Sequence, residues 1–317
     1  MDRRTAIGRI AFGAFGATRA VYGQQPRRIW TIGFLREGID PIKPSLVQAL
    51  RELGWVEGQN VRFEPRYADN LDQLPDLAAD LVRRKVDLII TAGTGAARAA
   101  KQASADIPIV FSVSGDPVER GLVGTMSRPG GNLTGFALGI YAEKQLQVLK
   151  AALPEISRVA YPVFAGANPS NLVKLDTARA IGVQIKHVAV QNPDDFALFY
   201  TGARQAGADA ALIPDVARLT PHLKRIGMEM SKSRLPAIGF RRIFAESGGL
   251  LSYGPTLSEM DVRIGIQIDK ILRGAKPANL PVEQPTRFEL VINLREAKAL
   301  GRSIPRLVRL GADELIQ

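Results

Sequence analysis

Between Trp30 and Val113 short apolar runs alternate with helical patterns, and from Arg158 to Phe240 the same alternation is written again. In the first pass Trp30–Leu35 reads as a buried strand. Ser45–Leu53 reads as a helix with Leu46, Leu50 and Leu53 on one face, closed by Gly54. Val61–Tyr67 alternates like a strand, and Leu74–Arg84 carries a helical stripe of Leu74, Leu77, Ala78 and Leu81. Asp87–Thr91 and Ile107–Val113 are further apolar strands on either side of an Ala-rich helix, Thr94–Ala103. The second pass gives strands at Arg158–Phe164, Val183–Val190, Asp209–Ile213 and Leu235–Phe240, with helices at Asn171–Ala180 and Asp194–Ala206. Thr31, Gly54 and Ile107 recur as Val159, Gly182 and Leu235, each 128 residues later. Strands alternating with helices specify mostly parallel, doubly wound sheets. One repeat at this distance specifies two similar domains, since solenoid periods are far shorter.

A chain of 317 residues is also longer than one hydrophobic core usually serves. The C-terminal third exceeds the repeat. Leu257–Leu272 is a strong helix with Met260, Ile264, Ile268 and Ile271 in its stripe, Phe288–Asn293 reads as a strand, and Arg295–Leu300 as a helix. These extra elements imply that the chain crosses between domains more than once, which makes a hinge. The expected division is 24–137 with 254–281 as lobe 1, and 138–253 with 282–317 as lobe 2.

Residues 1–23 fit an export signal: Arg3, Arg4 and Arg9 in front, a short apolar stretch from Ile10 to Ala17, then small residues at cleavage positions. An amphipathic helix is the other reading, and the paired Arg3-Arg4 also suits a twin-arginine route. Cleavage lowers the formal charge from +11 to +8. That charge does not signal nucleic acid, because the basic residues are scattered and no ladder of basic and aromatic residues is present. With no cysteine, disulfides, thiolate metal sites, cysteine nucleophiles and lipid attachment are excluded. Two histidines, His187 and His222, leave little for a histidine metal centre or a triad. Neither metal nor cofactor is expected, and beyond the signal no segment is apolar for long enough to span a membrane.

Several segments carry a family resemblance: Leu53-Gly-Trp-Val-Glu-Gly-Gln-Asn-Val61, Ile107-Pro-Ile-Val-Phe111 with Gly115-Asp-Pro-Val118, and Arg128-Pro-Gly-Gly-Asn-Leu-Thr-Gly135. The longest runs from Ile271-Leu-Arg-Gly-Ala-Lys-Pro to Arg287-Phe-Glu-Leu-Val-Ile-Asn293, followed by Ala297-Lys-Ala-Leu-Gly301 and Ile304-Pro305. In these the chain resembles the exported substrate-binding proteins of ABC transporters, in the branch associated with tryptophan and other aromatic amino acids. The resemblance implies a type I periplasmic-binding fold, with two Rossmann-like lobes joined by three hinge strands. It also implies a small-molecule solute bound between the lobes, an inner-membrane permease with its ATPase subunit as partner, a periplasmic location and no catalysis. A monomer is expected.

In open parallel sheets ligands sit beyond the carboxyl ends of the strands, so the strand exits supply the candidates. Arg36 can pair with an anion or stand as a solvated rim residue; the resembling proteins often have small polar residues there, and Arg36-Glu37 departs from that. Thr91, Gly93 and Thr94 open a helix whose free N–H groups suit a carboxylate, or Thr94 is a plain N-cap. The resemblance favours contact with ligand at this loop. Ser112 and Ser114 offer hydroxyls, while Asp116 accepts from an amine or caps the turn at Pro117. In the second lobe Asn168 can donate and accept. Asp215 is the candidate partner for a ligand amine, as in the resembling amino-acid binders, or else an N-cap. Phe240 and Tyr253 are candidate pocket walls or core rings.

An exported α/β hydrolase or racemase needs a nucleophile elbow, a metal set or paired cysteines, and none is written here. A sugar-regulated repressor on the same two lobes needs a helix-turn-helix ahead of the first strand, where the signal-like residues stand. A sensor docking on a receptor is not separable from a transport component at this level, nor is an aromatic or other carboxylate from an amino acid. No Gly-x-x-x-x-Gly-Lys-Ser/Thr loop is present, so any ATPase is another chain.

Overall fold

The computed structural model describes residues 28–38, 41–139, 141–164, 173–191 and 196–317. Two sheets carry the chain, as the duplicated pattern implies. The first has five parallel strands in the order β2-β1-β3-β4-β5: β1 (Trp30–Glu37), β2 (Val61–Ala68), β3 (Leu88–Ala92), β4 (Ile109–Val113) and β5 (Leu133–Ala137). Its helices are α1 (Pro44–Glu52), α2 (Leu74–Arg83) and α3 (Thr94–Ala103). The second lobe begins with α4 (Ala142–Ala152), β6 (Arg158–Phe164), α5 (Leu175–Ala180), β7 (Gln184–Val190), α6 (Phe196–Gln205) and β8 (Ala210–Leu212). It continues with α7 (Leu223–Ser233), β9 (Ala237–Gly239), α8 (Arg242–Glu246) and β10 (Leu251–Pro255).

From β10 the chain returns to the first lobe as α9 (Leu257–Leu272). It then ends in the second with β11 (Phe288–Asn293), α10 (Leu294–Ala299), α11 (Arg306–Leu310) and β12 (Glu314–Ile316). The second sheet has seven strands in the order β12-β11-β10-β9-β8-β6-β7. It is parallel except where β11 runs antiparallel to β10. The strand centres are continuous apolar runs, as sheets covered on both faces require: Leu35, Ile32, Leu88, Ile89 and Ile109 are fully buried.

Gly54 and Gly182 show how closely the two passes agree. Both follow a helix with positive φ, +92° and +69°, a region open to glycine at little cost. Both donate their N–H back into that helix, to Arg51 O and Arg179 O.

α9 belongs to the first lobe by contact. Its Gly265 lies against Ala49 of α1, and Asp269 accepts from Trp55 Nε1 at 2.9 Å. Gln267 Nε2 donates to the carbonyls of Gly135 in β5 and Pro281. The segment after α9 stays on the first sheet: Ala137 N donates to Glu283 O and Glu283 N to Gly135 O. Among the described residues the chain therefore passes between sheets three times, after β5, between β10 and α9, and between Glu283 and β11. Thr256 N donates to Arg287 O at 3.2 Å, which ties the second passage to the third. Three core clusters fill the layers. One lies under the first sheet and one under the second, while the largest draws on both sheets and includes Leu138 and Tyr141 of the first passage.

Candidate functional site

A pocket with an empty volume of about 330 Å³ opens where the two sheets meet. Ser114 and Gly115, beyond β4, and Gly139, beyond β5, come from the first lobe. Tyr161 of β6 and Pro214, Asp215 and Val216, beyond β8, come from the second, with Tyr141, Ala142 and Gln145 at the start of α4. The lining is therefore made mainly of strand exits, as the parallel-sheet rule requires.

Asp215 is the charged group of this pocket. It accepts a hydrogen bond from Tyr141 Oη, and the turn that follows is begun by Val216 with no side-chain cap, so Asp215 is not spent on capping. Burial raises the Tyr141 hydroxyl well above its ordinary pKa, and the Asp215 charge and hydrogen bond raise it further. Burial and the same carboxylate push Tyr161 up. Both phenols therefore stay protonated at neutral pH.

Gln145 is 1% exposed. Its Nε2 donates to Gly239 O and Tyr253 O, both at 2.9 Å. Its Oε1 is buried without a partner. An acceptor left open in a pocket wall is a place for a ligand N–H.

A second charged group joins α1 to α9 within the first lobe. Lys43, the N-cap residue of α1, donates to Asp261 of α9 at 3.3 Å, and Ser45 Oγ reaches the other oxygen of that carboxylate. Asp261 is 3% exposed. Burial lowers the Lys43 pKa, Asp261 opposes this, and the fields of Arg241 and Arg36 lower it further. Arg36 is buried at the end of β1 and donates weakly to Glu37 O. Arg241, the N-cap residue of α8, stands just past β9.

The other sequence candidates fall at separate places. Thr91 is fully buried in β3, its hydroxyl without a partner. Gly93, with φ of +95°, is the N-cap of α3, and Thr94 is its first helical residue; none of these three lines the pocket. Ser112 Oγ lies 3.6 Å from Met260 Sδ. The Asp116 carboxylate accepts from Val118 N at 2.7 Å, a local cap. Phe240 is 2% exposed within the core, and the residue after it, Arg241, stands over its ring at 5.4 Å. Tyr253 stacks on Phe288, centroids 5.5 Å apart, and Phe288 meets Tyr141 edge-on at 5.8 Å. Asn168 and the signal-like residues 1–23 lie outside the described residues.

Ser114 and Asp215 are thus brought to one pocket, and Arg36 to the basic group. Tyr141, Gln145, Lys43, Arg241 and Asp261 were not singled out from the sequence. Tyr141 does follow the exit of the fifth strand, a position the exit rule covers. Gln145 stands beside Leu146 and Leu149, where a buried helix face calls for an apolar residue. Among the described residues no three His, Asp or Glu side chains are grouped to hold a metal ion. No described helix is long and apolar enough to cross a membrane.

A family model described as ABC transporter substrate binding protein matches residues 35–316. A similar chain is the tyrosine-binding protein of Clostridioides difficile (strain R20291), 23% identical over 281 residues, 87% of this chain and 80% of that one. Among solved structures, a conserved domain protein of Vibrio cholerae has a TM-score of 0.81 at 23% identity, covering 91% of this chain and all of that one. An ABC domain of Streptococcus pneumoniae in complex with L-Trp has a TM-score of 0.79 at 24% identity, with the same coverage.

Proposed function

The chain belongs to the family of ABC transporter substrate-binding proteins, and from that premise we propose that it captures an amino acid between its lobes for an ABC importer. The observation that carries this reading is the pocket at the meeting of the two sheets, lined by the Asp215 carboxylate and by Gln145, whose Oε1 is an acceptor without a partner. A ligand ammonium supplies such donors. The tyrosine-binding relative and the L-Trp complex support amino acids, aromatic ones first.

The mechanism is binding followed by hinge closure. With the lobes apart, the strand exits face solvent. A solute that touches Ser114 and Asp215 together gains its full contact only in the closed form, so it shifts the population that way. The closed form then presents the solute to a membrane permease, whose ATPase subunit drives transport. Residues 1–23 export the chain and the periplasm is its place of work. Nothing in this cycle makes or breaks a covalent bond.

Thermal-shift screening of the purified chain against amino acids, aromatic acids and sugars tests the reading. An amino acid at a hundred times its Kd stabilises the chain by about 2.7 kcal/mol. Asp215→Asn keeps an acceptor for Tyr141 but removes the charge, and binds that amino acid roughly tenfold to a hundredfold more weakly. If no amino acid shifts the transition, or if Asp215→Asn binds as well as the parent, the reading is wrong.

A further inference from the structure

The Asp215 carboxylate ends on a torsion with little preference of its own, because χ2 of aspartate is broad. Its direction is therefore set by what it bonds. Among the described residues the Tyr141 hydroxyl is its hydrogen-bond donor, and that hydroxyl keeps its proton. Both residues line the pocket. One carboxylate oxygen is engaged in this way, and the other is left for a ligand. Tyr141 is itself held. It is 7% exposed, and its ring meets Phe288 edge-on at 5.8 Å. Phe288 stacks on Tyr253, with centroids 5.5 Å apart and planes 12° from parallel. The pairing of β10 with β11 sets that stack: Tyr253 stands opposite Leu290, which makes Phe288 its diagonal neighbour on one face. The three rings come from the three passages between the sheets. Tyr141 lies in the first, Tyr253 in the strand that leads into the second, and Phe288 is the residue at which the third ends. Gln145, the other acceptor of the pocket, is tied to the same place by its bond to Tyr253 O.

We propose that Tyr141 is a positioning residue for the ammonium site: its hydroxyl fixes the direction of the Asp215 carboxylate, and the stack of Phe288 on Tyr253 fixes Tyr141. This rests on the solute bearing an ammonium, as an amino acid does. A carboxylate aimed before the solute arrives loses less freedom on binding. The pocket therefore favours ammonium-bearing solutes by more than the charge of Asp215 alone provides.

Calorimetric titration of the full chain with tyrosine, tyramine and phenylpropionate tests this. Tyr141→Phe keeps the ring against Phe288 and removes the hydroxyl. It should bind tyrosine and tyramine about tenfold more weakly, and phenylpropionate, which has no ammonium, as the parent does. Phe288→Leu leaves the hydroxyl but takes away its support, and should show the same pattern at a smaller size; parent-like binding there contradicts the brace. In Asp215→Asn, where no charge is left to aim, adding Tyr141→Phe should change affinity by less than about twofold. Unchanged affinity for tyrosine and tyramine in Tyr141→Phe overturns the proposal and leaves the amino-acid reading standing. An equal loss for all three ligands, or losses that add in the double variant, also overturns it, because either marks a general disturbance of the pocket. If phenylpropionate does not bind the parent, the double variant decides alone. If tyrosine does not bind the parent, the amino-acid reading fails and tyramine decides: weaker binding in Tyr141→Phe sustains the positioning role, and no binding to the parent overturns it.

Discussion

Asp87 and Asp209 carry the duplication down to single hydrogen bonds. Asp87 N donates to Thr31 O while its carboxylate accepts from Thr31 N at 2.8 Å. Asp209 N donates to Arg158 O, and its carboxylate accepts from the backbone N–H of Ser157 and of Arg158 at 2.8 and 2.9 Å. Each aspartate pins the start of one strand to the start of its neighbour. Burial pushes the Asp209 carboxyl up, but the Ser157 and Arg158 donors outweigh it and hold the pKa down to about 2 from 3.8. A depressed carboxylate stabilises fully above its unfolded pKa and loses that contribution as pH falls through the folded value. Asp209→Asn should therefore cost about 2 kcal/mol near pH 7, with the gap to the parent narrowing from pH 4 towards pH 2. Urea unfolding across that range checks it, and a gap independent of pH contradicts it. At this scale the sequence placed Ser114 and Asp215 at the pocket because strand exits are local. Arg241 was not legible: it is one of many scattered basic residues until the fold buries its Nε beside the Phe240 ring. Phe240 misled for a related reason. An aromatic ring at a strand exit can turn to core or to cleft, and here it turns to the core.

Among the elements, α4 joins site to scaffold. It follows the first passage, buries Leu146, Leu149 and Ala152, and through Gln145 holds the carbonyls at the ends of β9 and within β10. Gln145→Leu fills the same space but leaves Gly239 O and Tyr253 O without that donor. The expected cost is about 2–4 kcal/mol of stability, from two buried acceptors at about 1–2 kcal/mol each, read as a lower denaturant midpoint at unchanged m-value. A midpoint equal to the parent's removes Gln145 from its role as a tie. The strands and helices of the duplicated passes were legible because their periods are local. The direction of β11 was not, since nothing within Phe288–Asn293 says that it runs antiparallel to β10. The C-terminal α11 was hidden for a physical reason as well: Leu307 and Leu310 are 83% and 70% exposed, so it lacks the buried stripe that marks a helix.

For the whole molecule, the division into two parallel-sheet lobes follows from the repeat, and the returns of the chain follow from the surplus after it. The three passages join the lobes, while α9 and Glu283 keep the C-terminal traffic anchored to the first sheet. The central claim is that solute and closure are coupled, and small-angle X-ray scattering of the purified chain, with and without its saturating amino acid, tests it most directly. The account predicts a smaller radius of gyration with the solute bound, and a smaller contraction when the same concentration of solute is added to Asp215→Asn. A scattering curve that stays the same while calorimetry shows the site filled would contradict it.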